Sequence, residues 1–215
     1  MKIKYIPVIA VTLLIISACQ STNSTETLPI LGSREPVEKE VDGEIVTDTL
    51  YHSIPEFSFL NQDSTIITGE TFANSIYVAD FFFTSCPSIC PIMHRNMRKV
   101  YEKYKGNQEV MFLSHSIDTK YDTPSVLKDY AEKLGVSGQQ WQFASGTRES
   151  IYGISPSYMV FAEENEAAPG GFEHQGWFLL IDKDKHIRGA YNGTEEAEVE
   201  QLMSDMDILL KEYEK

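Results

Sequence analysis

The 215-residue chain carries 18 Lys and Arg against 32 Asp and Glu, a formal charge of −14, with 42% apolar residues. That balance excludes the basic footprint of a nucleic-acid binder, but not a protein that handles cations. The length and apolar content suit one domain with a tail.

Residues 1–18 read as a signal peptide. Lys2 and Lys4 precede an apolar run from Ile6 to Ile16, and Ser17 and Ala18 are small. The run is too short for a comfortable membrane span. Ile16-Ser17-Ala18-Cys19 resembles a bacterial lipobox, in which Cys19 is lipidated and becomes the first mature residue. The setting expected is oxidising, extracytoplasmic and periplasm-facing, with the chain anchored as a bacterial lipoprotein. Residues 19–52, rich in Ser, Thr, Glu and Pro with little periodicity, read as a flexible tether. The domain is expected over 53–215.

Within it, Phe57–Leu60 and Thr65–Thr68 suggest a small hairpin around Asn61-Gln62-Asp63-Ser64. Ile76–Phe83 is an almost unbroken apolar run, which suits a central strand covered on both faces. Cys90–Tyr104 predicts a helix, with Met93, Met97, Val100, Tyr101 and Tyr104 on one face and Gly106 beyond it. Glu109–Ile117 predicts a second core strand. Thr123-Pro124 starts a helix that Gly135 closes. Strands are expected at Trp141–Ala144 and Tyr158–Phe161, with a helical turn at Arg148–Tyr152 between them. Residues 162–175 read as a long acidic, Gly-containing loop. A hairpin over Trp177–Asp182 and His186–Tyr191 and a helix over Glu195–Tyr213 finish the chain. This order predicts an α/β, thioredoxin-like fold with an N-terminal β-hairpin extension and an inserted His-bearing loop.

Chemistry gathers at Cys86 and Cys90, where the central strand feeds the first helix. Free N–H groups and the helix dipole favour thiolate there. At i and i+4, two sulfurs about 6 Å apart on one helix face can bond to each other or share an ion. A structural disulfide is one reading, although so short a loop gains little stability from closure. A redox dithiol is the second, with one residue more than C-x-x-C. A metal site with a further ligand is the third.

Histidine is the natural third ligand, and the chain has five. His94 stands about 12 Å from Cys86 along a straight helix, too far for one ion, and reads as a surface or partly buried side chain. His115 lies in a core strand and reads as a satisfied core histidine; His52 and His186 read as exposed. His174 ends the long loop just before a strand and, with Gly170-Gly171 as a hinge, can swing onto the sulfurs. Spacing alone leaves it evenly balanced between a ligand and a solvated loop residue. Two thiolates and one imidazole suit copper, whereas structural zinc prefers a fourth protein ligand. Met93 and Met97 are expected in the core.

Thr84-Ser85-Cys86-Pro87-Ser88-Ile89-Cys90-Pro91 resembles the T-x-C-P-x-x-C-P signature of the Sco/SenC family. Ser116-Ile117-Asp118 and Asp122-Thr123-Pro124 resemble its S-x-D-P-x-x-D-T-P segment, with Thr119 where the family often has Pro. His174, followed by Phe178–Asp182, stands where the family has its third ligand. The resemblance covers about residues 54–213. It implies a thioredoxin-like metallochaperone that binds one copper ion through Cys86, Cys90 and His174. It also implies a role in maturing the binuclear copper centre of cytochrome c oxidase, with the copper-accepting subunit or other copper and thiol proteins as partners. Membrane tethering in the family agrees with the lipobox. The competing reading is an enzyme, an extracytoplasmic thiol-disulfide oxidoreductase whose redox pair is Cys86 and Cys90 and which keeps partner cysteines reduced. It needs the cysteines but not His174.

Overall fold

The computed structural model of the chain describes residues 27–136 and 139–214. Cys19 and the signal segment lie outside them. Among the described residues, no helix is long and apolar enough to cross a membrane.

A five-stranded sheet forms the centre. Strand β5 (Ile76–Phe82) is buried along its whole length, as its continuous apolar run demands. It pairs in parallel with β6 (Val110–Ser116), which pairs in parallel with β7 (Trp141–Ala144). On its other side lies the antiparallel pair β10 (Trp177–Ile181) and β11 (Ile187–Asn192), giving the order β11-β10-β5-β6-β7. This is the thioredoxin-like α/β arrangement expected.

Crossover helices pack on one face. Helix α1 (Cys90–Tyr104) joins β5 to β6, and α2 (Pro124–Leu134) joins β6 to β7. Gly135 ends α2 in the left-handed region at φ 71°, as the sequence predicts. His94 of α1 and Tyr130 of α2 both pack on Phe82, at centroid distances of 4.6 and 5.3 Å. Helix α4 (Glu196–Glu212) lies against α1, where Tyr104 and Lys103 both bond Asp207. The opposite face carries Phe81 and His115, covered by Phe59 and Tyr158. Phe59 belongs to a small hairpin of β3 (Ser58–Leu60) and β4 (Ile66–Thr68).

Three segments depart from the sequence reading. Arg34–Val41 (β1) and Glu44–Tyr51 (β2) form an antiparallel hairpin inside the stretch read as a structureless tether. Asp42-Gly43, at φ 53° and 83°, makes the tight turn that suits the right-handed strand twist. Val37, Val41, Val46 and Leu50 share one face of it, and interleaved charges mask that alternation in the sequence. Ahead of the hairpin, residues 28–31 are fastened to the domain. Leu31 N–H donates to Ile187 O (2.8 Å), and Arg188 donates to the carbonyls of Leu28 and Pro29 while pairing with Asp182 and Glu212.

The second departure is at Tyr158–Phe161. Ser155–Tyr158 is a 3-10 turn opened by Pro156, and Met159 follows at φ 58°. Proline at the start of a helical turn fixes its first φ, so the strand forms only at β8 (Ala162–Glu164). Third, the long loop is itself a hairpin, since β8 pairs with β9 (Phe172–His174). The turn at Arg148–Tyr152 extends into α3 (Arg148–Ile154).

His115 is fully buried and only half satisfied. Its Nδ1 donates to Asp80 O (3.3 Å), while Nε2 has no partner. Burial therefore holds its pKa at about 4, below the usual 6.5. The unfolded chain takes up this proton first, so stability is full above pH 6.5 and falls as the pH drops towards 4. The slope is worth on the order of 3 kcal/mol. His115→Phe is expected to remove that part of the acid sensitivity and to raise stability at pH 5, read from urea unfolding between pH 4 and 7.

Candidate metal centre

The centre forms where β5 stops. After Phe82 the chain leaves the sheet, and the side chain of Asp122 catches it. One Asp122 oxygen accepts from Thr84 Oγ1 (2.5 Å); the other accepts from Thr84 N–H (2.9 Å) and Ser116 Oγ (2.5 Å). Burial raises the Asp122 pKa, and these bonds oppose the rise. The turn then brings Cys86 N–H to Phe83 O (3.2 Å) and leads into α1, which begins at Cys90 with Pro91 in its first turn. No side chain caps that helix start; Pro91 has no N–H and the Ile92 and Met93 N–H groups bond Ile89 O, so the backbone N–H groups that serve the Cys86 sulfur are those of Ser88 and Cys90.

His174 arrives from the β8–β9 hairpin. Asn165 N–H bonds Gly171 O (2.9 Å) across its turn. The Phe83 ring supports the hairpin from below, with Phe172 at 4.9 Å and His174 edge-on at 5.8 Å. Gly170 lies at φ 79°, and a Cβ there would stand 2.7 Å from the Phe83 ring, so a side chain is excluded twice over.

The three sequence-predicted ligands meet. Cys86, Cys90 and His174 each offer a ligand atom, and these atoms lie within 4.8 Å of one another. Cys90 Sγ is 3.4 Å from His174 Nε2. His174 Nδ1 lies 3.3 Å from the carbonyl of Gln175, which can only accept. Nδ1 can only donate to that carbonyl, which leaves Nε2 as the ring atom that faces the sulfurs. Beside them opens a cleft of ≈ 400 Å³, walled by Phe83, Ile89, Pro169 and Phe172.

The two thiols are unequal. Cys86 is 7% exposed and Cys90 1%. The Cys90 thiol donates towards Cys86 and holds the Cys86 pKa far below the usual thiol range; His174 adds to this. Cys90 is driven the other way, first because it keeps the shared proton for Cys86 and second because it is buried. Reduced, the site holds an outer thiolate and an inner thiol. A soft ion that displaces the Cys90 proton meets two sulfurs and one imidazole nitrogen, the donor set that suits copper.

The remaining histidines are elsewhere. His94, read as a surface or partly buried side chain, is wholly buried, with Nε2 2.9 Å from Asp80 and Nδ1 2.8 Å from Tyr130. His115 is in the core, although with the unpaired nitrogen described above. His52 is half-buried, its Nε2 2.7 Å from Ser157 O. His186 stands with Asp182 and Asp184 in the β10–β11 turn, where Asp182 is already used by two backbone N–H groups and Arg188. Asp118 shapes its own loop by accepting from the N–H groups of Lys120 and Tyr121. Sequence reasoning missed Asp80. A carboxylate inside a doubly buried strand needs partners, and that was its legible signal.

Two outcomes follow from this geometry. Alkylation of the reduced protein at pH 6 is expected to modify Cys86 well ahead of Cys90, as read by peptide mass analysis; equal labelling would contradict the ordering of the thiols. Gly170→Ala is expected to push the hairpin off Phe83 and destabilise the protein by about 1–3 kcal/mol, with His174 nearer solvent by histidine modification.

The SCO1/SenC family model matches residues 47–211. The SCO1 protein homolog of Bacillus subtilis (strain 168) is 30% identical over 167 residues, covering 76% of this chain and 86% of that one. Among solved structures, a SCO1/SenC family lipoprotein from Bacillus anthracis str. Ames has a TM-score of 0.68 at 29% identity, covering 74% of this chain and 95% of that chain. Arabidopsis thaliana ScoI, solved with copper bound, shares the fold at a TM-score of 0.63 and 21% identity, over 74% of this chain and 98% of its own. The matched span includes both cysteines and His174, and the chain belongs to the SCO1/SenC family.

Proposed function

We propose that this protein binds one copper ion through Cys86, Cys90 and His174 and passes it on during maturation of the binuclear copper centre of cytochrome c oxidase. The convergence of two sulfurs and one imidazole nitrogen beside an open cleft carries the reading. The copper-bound relative of the same fold supports it. Copper is cargo here. Cys86 offers a ready thiolate, Cys90 must give up its proton, and His174 supplies the third donor from a hairpin held mainly by ring packing. An incoming acceptor thiolate can compete for the ion from the cleft side, where Cys86 is the more open sulfur.

Lipidation at Cys19 and an extracytoplasmic membrane attachment belong to the same proposal. They rest on the lipobox-like sequence and on the lipoprotein description of the Bacillus anthracis relative. The acceptor is a copper-receiving subunit of the oxidase or another copper or thiol protein.

The inequality of the thiols favours one second reading, thiol-disulfide exchange. Cys86, the less buried and more acidic of the two, can attack a partner disulfide as thiolate, and Cys90 can resolve the mixed disulfide after losing its proton. The products are two thiols on the partner and a Cys86–Cys90 disulfide here.

Copper(I) titration of the reduced protein separates the readings. One equivalent is expected to bind the wild type, with sulfur-to-copper absorption. Cys86→Ala is expected to abolish tight binding, and His174→Ala to weaken it by at least tenfold while leaving thiol exchange in place. Unchanged affinity and spectrum in both variants would sink the copper reading.

A further inference from the structure

The cleft beside the sulfurs is larger than an ion needs. It holds ≈ 400 Å³, and both Cys86 and His174 open on it, so it is continuous with the ligand set. Its walls are mostly apolar. Phe83 follows β5, Ile89 precedes α1, and Phe172 and Pro169 come from the β8–β9 hairpin. Ile89 and Phe172 are only half-buried and Ala167, at the rim, is exposed, so the cleft keeps apolar surface uncovered. An ion uses a small part of this space. Ligand exchange brings a second thiol to Cys86, and the rest of the cleft receives what stands beside that thiol.

The charged lining has one sign. Glu173 lines the cleft, and Asn165 Nδ2 donates to its Oε2 (3.1 Å). Among the described residues, no Lys or Arg lines it. A carboxylate brought in beside a partner thiol meets Glu173 with no cation to offset it. Small thiols that carry carboxylates near the sulfur are therefore poor occupants. A large apolar side chain instead covers ring and aliphatic surface that is otherwise wet. At ≈ 400 Å³ the cleft has the size of a small-ligand pocket, room for a side chain and the thiol beside it but not for a folded element.

We propose that the cleft is a specificity pocket for the partner protein, selecting a cysteine whose neighbour in sequence is a large apolar residue and turning away thiols flanked by carboxylates. Ile89 and Phe172 cover the apolar side chain while its cysteine stands at Cys86, and Glu173 supplies the rejection. The inference rests on the proposed hand-over at Cys86 for its purpose. It holds for copper transfer and for disulfide exchange alike, because both bring a partner sulfur to the same atom.

The test uses the reduced full-length protein without metal and the symmetrical disulfides of three capped peptides: acetyl-Gly-Phe-Cys-Gly-amide, acetyl-Gly-Gly-Cys-Gly-amide and acetyl-Gly-Glu-Cys-Gly-amide. Cys86 attacks one peptide sulfur and the first peptide leaves as a thiol. Cys90 then releases the second as the Cys86–Cys90 bond forms, so two protein thiols are oxidised and two peptide thiols appear. Thiol release is read by chromatography and divided by the rate with dithiothreitol, which removes intrinsic differences between the peptides. The phenylalanine peptide is expected to react about tenfold faster than the glycine peptide. The glutamate peptide is expected to react about threefold slower than the glycine peptide at low salt, a penalty that added salt removes. Ala167→Trp fills the cleft from its rim and is expected to cut the phenylalanine preference to below about threefold. Should that variant not fold, Ala168→Phe closes the same space with the same expectation. Glu173→Gln is expected to cancel the glutamate penalty and keep the phenylalanine preference. Equal rates for the phenylalanine and glycine peptides overturn the proposal, as does a preference that survives filling the cleft. Oxidised glutathione reacting as fast as the phenylalanine peptide also overturns it. Copper(I) titration of the same wild-type sample separates the two readings. Peptide preference without copper binding removes the copper reading and keeps the pocket; copper binding without preference removes the pocket alone.

Discussion

The site depends on the grip of Asp122 on Thr84. A strand buried on both faces has no reason of its own to stop where chemistry is needed, and β5 runs apolar as far as Phe83. The carboxylate of Asp122 gives the chain a place to turn by accepting a backbone N–H and a hydroxyl from one residue and a second hydroxyl from Ser116. Burying a carboxylate is costly unless its lone pairs are filled, and here three donors fill them. The turn that follows brings two cysteines to an uncapped helix start. Without that grip, Cys86 would swing with a loose loop and the helix start would have nothing to present.

The third donor is held by a different kind of force. Among the described residues no ion pair fixes the His174 ring; Phe83 supports it edge-on and supports Phe172 beside it. Such packing is specific in shape but shallow in energy, each aromatic pair being worth about 0.5–1.5 kcal/mol. Gly170, at positive φ, lets the hairpin come close to the ring without a side chain in the way. The cysteines thus belong to the rigid sheet and helix, and the histidine to a small element that can move by breaking little. For a protein that must hold an ion and also surrender it, that division is useful.

Much of the architecture was legible because period and punctuation agree in it. Helix α1 shows its face in Met93, Met97, Val100 and Tyr104, and α2 is bracketed by Thr123-Pro124 and Gly135. Helix positions and the β5 run could therefore be read directly. The N-terminal hairpin was lost because its alternation is diluted by Glu, Lys and Asp, although Asp42-Gly43 marks the turn. The strand expected at Tyr158–Phe161 was displaced by Pro156, whose effect on the following turn outweighs the apolar run. At the site, the cysteine pair was legible by spacing, but the ligand role of His174 was not. Its closeness to Cys90 comes from a ring contact more than eighty residues away in sequence, and only the family resemblance pointed to it. His94 was misplaced because helical spacing gives a distance from Cys86 but not which face is buried.

The sheet also fixes which way the centre faces. The cysteines follow the end of β5, and β10 runs antiparallel to it, so Ile181 lies opposite Tyr77 near the start of β5. Ile187 pairs with Ile181 there, and Leu31 bonds Ile187. Arg188 holds the carbonyls of Leu28 and Pro29 at the same end. Residues 28–31 therefore lie at the pole opposite the two sulfurs and His174, and the chain enters the domain from the side away from the metal centre.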